Sequence, residues 1–285
     1  MAKYMVTGST GNFGGLALRY LSEKVAKSDI IGLARSEDKA KKLRDQGFDI
    51  RIGDYTNYES LVEAFKGVDR LLFVSSTTSG EISRQIQHEN VIDAAKEAGV
   101  KFIAYTSLIK ADSSQSPLAA DHVFTENLIK NSGLNYAILR NDWYLENEKS
   151  IVDAALNIGK FVYSAGEGKV AWALRREYAE AAANALSSDQ NYDKIFELAG
   201  NNSTYADLAA ALANASDNQF EILSLEPADH KRFLINNDAP EGFADYLVGL
   251  HQDIKAGMLE SGSNNLKELL GRELTPLGDA VAEIL

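Results

Sequence analysis

Gly8, Gly11 and Gly14 stand three apart, between the apolar run Lys3 to Thr7 and a stretch of helical period, and this placement constrains the fold more than any other feature of the chain. A strand that turns through glycines directly into a helix reads as the first unit of a doubly wound parallel sheet of the Rossmann type, where turn, ligand approach and helix packing each exclude a side chain. The helix start adds free N–H groups and a positive dipole end, which suit a pyrophosphate. Gly8, Ser9, Thr10, Gly11, Asn12 and Phe13 are therefore the expected phosphate-side contacts of a dinucleotide. The first spacing is G-x-x-G and not G-x-G, so the context of strand, loop and helix carries the assignment.

The rest of the first half keeps the same rhythm. Strands are predicted at Lys3 to Thr7, Ile30 to Ala34, Asp49 to Ile52, Arg70 to Val74, Phe102 to Thr106 and Tyr136 to Leu139. Helices are predicted between them at Gly11 to Ala26, Ser36 to Gln46, Tyr58 to Phe65, Ser83 to Ala98 and Ala119 to Asn131. Parallel strands need a crossover, normally a helix, so this alternation implies an α/β protein. After Arg140 the pattern changes to helices at Glu148 to Asn157, Arg176 to Leu186, Tyr205 to Ala215, Phe243 to Met258 and Leu266 to Leu270, with late strands at Lys194 to Leu198 and Phe220 to Leu223. We read residues 1–150 as a dinucleotide-binding domain and 151–285 as a smaller α/β substrate lobe interleaved with it.

Composition closes off other classes. The chain has no cysteine, which excludes disulfide scaffolds, thiolate metal sites and cysteine nucleophiles. No apolar run approaches the ~18 residues of a membrane span, and the first residues read as a strand and a turn rather than a secretory signal, so a cytoplasmic protein without membrane insertion is expected. The formal net charge is −12, which repels nucleic acid. The charge is uneven: residues 1–150 carry 19 basic and 20 acidic groups, residues 151–285 carry 10 and 21. The near-neutral half is the one that would meet an anionic cofactor.

The end of the second predicted strand selects the dinucleotide. An acidic residue there would take a ribose 2′-hydroxyl, whereas this chain places Arg35, a guanidinium suited to a 2′-phosphate; NADPH is the expected cofactor. Asp54 and Tyr55, after the third strand, either flank the adenine or form an ordinary turn. Ligands in open α/β sheets bind at the carboxyl ends of strands, so Ser75, Ser76 and Thr77, with Tyr105, Thr106 and Ser107, are expected to face ribose and nicotinamide.

Thr7 to Gly14, Arg35, Lys101 to Ser107, Leu139 to Asn147 and Ala165 to Lys169 together resemble the atypical, extended short-chain dehydrogenase/reductases of the NmrA-like group, over the whole chain. Within it the likeness is to the bacterial NADPH:quinone oxidoreductases, with triphenylmethane-dye reductases as near relatives. The resemblance implies that the Leu139 to Asn147 segment lines the nicotinamide end of the cleft. It thereby implicates Asn141, Asp142, Trp143, Tyr144 and Glu146, with Tyr144 and Asn141 as catalytic candidates.

The wider short-chain family protonates its alkoxide product with a Tyr-x-x-x-Lys pair. Here the only such spacing, Tyr20 to Lys24, falls on the first helix, away from the cleft; on the helix after the fifth strand the sequence reads Asp121-His122-Val-Phe-Thr-Glu126. Loss of that pair suits an acceptor whose reduced form is a weak base. A quinone leaves a phenolate with a conjugate-acid pKa of about 10, which water can protonate. A flat quinone or dye-like acceptor held over the nicotinamide needs orientation above all, and Trp143, Tyr144 and Phe124 offer stacking faces or, equally, core packing. His122 and Glu126, one turn apart, either relay a proton and touch the acceptor oxygen or form a surface pair. The remaining histidines fit no metal motif, so neither metal nor flavin is expected. The competing reading is an NADP(H)-binding redox sensor that acts through a protein partner; a monomer or a homodimer suits both.

Overall fold

The computed structural model describes residues 2–77, 81–114, 117–190, 192, 194–216 and 218–285. Along the first half alternate β1 (Tyr4–Val6), α1 (Asn12–Ser22), β2 (Ile30–Ala34), α2 (Glu37–Asp45), β3 (Asp49–Ile52), α3 (Tyr58–Phe65), β4 (Arg70–Phe73), α4 (Arg84–Glu97), β5 (Phe102–Leu108), α5 (Pro117–Lys130) and β6 (Asn135–Asn141). There follow α6 (Lys149–Ile158), β7 (Lys160–Tyr163), β8 (Lys169–Val170), α7 (Arg175–Ser187), β9 (Lys194–Leu198) and β10 (Ser203–Thr204). The chain ends with α8 (Tyr205–Ser216), β11 (Glu221–Ser224), α9 (Pro227–Asn236), α10 (Glu241–Lys255), α11 (Asn265–Leu270) and α12 (Leu277–Ile284).

Local chemistry sets these boundaries. Asn57 caps α3 by accepting from Ser60 N, and Ser83 caps α4 by accepting from Ile86 N. Gly67 and Gly99 close the same two helices at φ +71° and +78°, where a Cβ would be strained. α1, expected to reach Ala26, stops at Ser22 because Lys24 N and Val25 N both fold back onto Leu21 O before a 3-10 turn at Lys27–Asp29.

Seven strands form one sheet in the order β3-β2-β1-β4-β5-β6-β9, and every pair in it is parallel. β2 is buried at every position, as a parallel strand covered on both faces should be. One correction concerns β9. Expected in the C-terminal lobe, it pairs with β6 from Ala137 opposite Lys194 to Asn141 opposite Leu198, with α7 as the preceding helix.

The chain divides into two compact units, one of 1–141, 176–198 and 265–271, the other of 142–175, 199–264 and 272–285. In the first, Met5, Ile31, Leu71, Phe73, Ile103 and Tyr105 of the sheet pack against Leu61, Phe65, Val91 and Ile129 of the helices. The second holds a parallel pair, β7 with β11, and an antiparallel pair, β8 with β10; α8 packs on α12 and α9 on α10. Among the described residues no helix is long and apolar enough to cross a membrane.

Candidate functional site

Between β1 and α1 the backbone turns at Gly8, with φ +59°, and Gly11 N closes the turn on Gly8 O at 2.9 Å. A Cβ on Gly14 would lie 2.3 Å from Gly8 O and 2.9 Å from Thr7 O, so the first turn of α1 rests directly on the loop backbone. Gly11 is the N-cap and offers no side-chain acceptor. No side chain at the N-cap competes with an anion for the start of α1.

This loop forms one end of a cleft of about 680 Å³ in the first unit. Gly8, Thr10, Gly11, Asn12 and Phe13 line it from the loop, Arg35 from the end of β2, Asp54 and Tyr55 from the end of β3, and Ser75, Ser76 and Thr77 from the end of β4. The carboxyl ends of four adjacent strands converge there, where open α/β sheets bind ligands. Ser9 is the loop residue that departs from expectation. It is buried, and its Oγ donates to Leu33 O at 2.8 Å, fastening the loop to β2.

At the end of β2 a second cation, Lys39, joins Arg35 on the cleft wall. Neither has an ion-pair partner among the described residues, and Glu37, the acid nearest Arg35 in sequence, is engaged by Arg44. Two exposed cations without counter-charge fit the dianionic 2′-phosphate of a phosphorylated dinucleotide. Lys39 was legible as a lysine one helical turn past Arg35, a signal that reading the strand end alone overlooks.

The wall after β4 is held from behind by side chains. Val74 N donates to Thr7 Oγ1 at 2.9 Å, Ser75 N to Thr106 Oγ1 at 2.9 Å, and Ser76 N to His88 Nε2 at 3.0 Å; Arg84 Nε donates to Ser76 O at 2.8 Å. These bonds fix the histidine tautomers. Since Ser76 N–H donates to His88 Nε2, His88 Nδ1 carries the proton and gives it to Thr125 Oγ1 at 2.8 Å. Arg84 Nη2 can only donate, so His122 Nε2 accepts at 3.1 Å and its Nδ1–H points to Tyr105 Oη at 2.8 Å. Burial, and the nearby Arg84 charge, hold both rings neutral, His88 down to about 3 and His122 down to about 2.

That network corrects several expectations. Tyr105, Thr106 and Ser107 are buried, and their hydroxyls serve His122, Ser75 and Glu126 in place of a ligand. His122 and Glu126 are neither a surface pair nor partners of each other. Glu126 is clamped bidentately by Arg140, Nε to Oε1 and Nη2 to Oε2 at 2.8 Å each, and Arg140 Nη1 reaches Glu197 at 2.7 Å. Asn141 ends β6; its side chain is buried and its carbonyl accepts from Ile109 N at 2.9 Å.

Asp142, Trp143, Tyr144 and Glu146 belong to the second unit. Asp142 Oδ1 accepts from Trp143 N at 2.8 Å, fixing the turn that follows β6. Tyr144 is half-buried, bridges to Ala173, and has the Arg175 guanidinium 5.3 Å from its ring centroid. The Glu146 carboxylate accepts from Arg175 N at 2.9 and 3.0 Å and so caps the start of α7, a structural use for an expected ligand contact.

A parallel doubly wound sheet with a glycine turn beneath a cleft at its strand ends defines a dinucleotide-binding α/β protein. The chain belongs to the NAD(P)H-binding family, whose model matches residues 8–189. It is 40% identical over 280 residues to quinone oxidoreductase 2 of Escherichia coli, a match that covers 98% of this chain and 97% of that protein. Its fold superposes on the NADPH-dependent quinone oxidoreductase QOR2 of Escherichia coli complexed with NADPH, with a TM-score of 0.91 and 40% identity over 99% of each chain. The Citrobacter sp. triphenylmethane reductase complexed with NADP(H) gives a TM-score of 0.90 and 37% identity over 99% of this chain and 100% of that one.

Proposed function

We propose that the protein is an NADPH-dependent oxidoreductase that delivers hydride directly to a quinone-like acceptor, without flavin, metal or a built-in protein acid. Arg35 and Lys39 would hold the 2′-phosphate, the glycine turn and the start of α1 the pyrophosphate, and Ser75 to Thr77 the ribose beyond it. When bound, NADPH supplies the hydride.

The observation that carries the choice of acceptor is the state of α5. The side chains there that could supply a proton are already committed: His122 is a neutral ring held between Arg84 and Tyr105, and both oxygens of Glu126 are tied to Arg140. Of the other ionisable groups of α5, Asp121 accepts from Gln85 and Lys130 lies 3.4 Å from Glu126, and the helix carries no tyrosine to protonate a strongly basic alkoxide. An acceptor whose reduced form is a phenolate at a pKa of about 10 needs none, so the chain's task reduces to orientation and exclusion of water. Trp143 and Tyr144, which follow β6 in the chain, are the proposed faces for a flat acceptor, and Asn141, the last residue of β6, is the further candidate.

The names of the relatives, a quinone oxidoreductase and a triphenylmethane reductase complexed with NADP(H), support this reading. The test is turnover with NADPH deuterated at C4. A primary isotope effect in enzyme lacking flavin absorbance is expected. Turnover that depends on added flavin, and shows no isotope effect, would contradict it.

A further inference from the structure

The chain has two tryptophans, and both donate to the same atom. Trp143 Nε1 lies 2.9 Å and Trp172 Nε1 3.0 Å from Glu148 Oε1, while Tyr205 Oη lies 3.2 Å from Oε1 and 3.1 Å from Oε2. Three donors from three separate segments of the second unit therefore converge on one carboxyl, which is only 4% exposed and has no basic partner among the described residues. An indole N–H can only donate. An apolar side chain at 148 would leave the buried Trp172 and the half-buried Trp143 without that acceptor, so the cluster is built around an oxygen with several lone pairs.

Resting on the reading of Trp143 as an acceptor face, we propose that Glu148 is the positioning residue of the acceptor side: its carboxyl pins the Trp143 indole, and its charge state sets how firmly. An ionised oxygen makes the stronger hydrogen bond. Burial pushes Glu148 up to about 7, so its ionisation falls in the neutral range.

Burial pushes the neighbouring tyrosines and histidines away from that range. Tyr205 on α8 is raised well above its usual value, and Tyr246 on α10 is raised by burial and by Glu148 itself. His251 on α10 and His230 on α9 are pushed by burial to about 3 and about 4. On α6, Lys149 pairs with Asp153 at the surface; on α12, which packs on the 145–148 turn, Asp279 and Glu283 are exposed. Glu146 is tied to Arg175 N.

Because Trp143 and Trp172 are the only indoles, intrinsic emission reads this cluster without turnover. The full-length protein is expected to change its emission with a midpoint near pH 7. Glu148→Gln keeps an oxygen for both indoles but not the charge, so it should abolish that transition and hold acceptor KM at the value the wild type shows below the midpoint. Glu148→Leu should raise acceptor KM on the order of tenfold with NADPH KM unchanged, the worth of one charge-assisted hydrogen bond. In a Trp143→Phe background it should have no further effect on acceptor KM. Emission that does not titrate in the wild type, or titrates identically in Glu148→Gln, overturns the proposal. So does an unaltered acceptor KM in Glu148→Leu. A titration that is present while no quinone is turned over would instead defeat the functional reading and leave the hold on the indole supported.

Discussion

Arg35 and Lys39 line the cleft, and neither makes an ion pair among the described residues; Glu37, two residues beyond Arg35, is engaged by Arg44. Arg35→Glu is therefore expected to raise KM for NADPH by about tenfold to a hundredfold, the range of a lost charge-assisted hydrogen bond, and to leave KM for NADH nearly unchanged. Steady-state kinetics with both cofactors check this, and an equal loss for both would remove the basis for the 2′-phosphate assignment. Gly14 is bounded by backbone and cannot accommodate even a methyl. Gly14→Ala should cost about 1–3 kcal/mol of stability and weaken cofactor binding, since the Cβ would meet Gly8 O at 2.3 Å. Gly15→Ala, whose Cβ would stop 3.3 Å from Ser9 O, is the milder control in the same denaturant titration.

Between elements, the Arg140 cluster joins β5, α5, β6 and β9. Arg140→Met leaves the buried Glu126 with only Ser107 and Lys130, the latter at 3.4 Å, and should destabilise by about 3 kcal/mol. Asp112→Asn removes the partner of Arg140 that is 67% exposed and should cost under about 0.5 kcal/mol. Chemical denaturation distinguishes the two, and equal effects would mean that the cluster does not act as a buried pair. Such long-range pairing is what the sequence conceals. Apolar runs and helical periods made the first six strands and their crossovers legible, and the glycine turn, Arg35 and the strand-end Ser75 to Thr77 followed from them. The spacing of Ser107, Glu126, Arg140 and Glu197 carries no such period, so nothing in it shows that four elements aim them at one point. Hydroxyls at a strand end look alike whether their residue lines the cleft, as Ser76 does, or turns its oxygen to a neighbouring backbone N–H, as Thr106 does. β8 and β10, two residues each, are too short to show alternation.

Across the molecule, all four histidines are buried and held neutral, at about 3 for His88 and His251, about 2 for His122 and about 4 for His230, each chiefly because burial disfavours the imidazolium. Their unfolded value is 6.5, so the unfolded chain takes up protons that the folded one refuses. Stability is complete above about pH 6.5 and is lost as pH falls toward the folded values, by at most about 1.4 kcal/mol per pH unit for each ring. Glu148 works in the opposite sense. Raised from 4.5 to about 7, it favours the fold below pH 4.5 and gives up that contribution as pH rises through 7. Four rings outweigh one carboxyl, so thermal melts should show the midpoint falling between pH 6.5 and 4.5; a midpoint that rises or stays level would contradict this assignment of neutral histidines. The central claim is that this chain binds NADPH in the first unit and passes hydride to a quinone-like acceptor unaided. Its most direct test is the loss of reduced-nicotinamide absorbance when flavin-free protein meets NADPH and a panel of benzoquinones and naphthoquinones, with protein and NADPH alone as the blank. Rapid, acceptor-dependent oxidation is the expected result. Tight NADPH binding by calorimetry, with no oxidation by any acceptor, would contradict the account and point to a cofactor-reading sensor that acts on a protein partner.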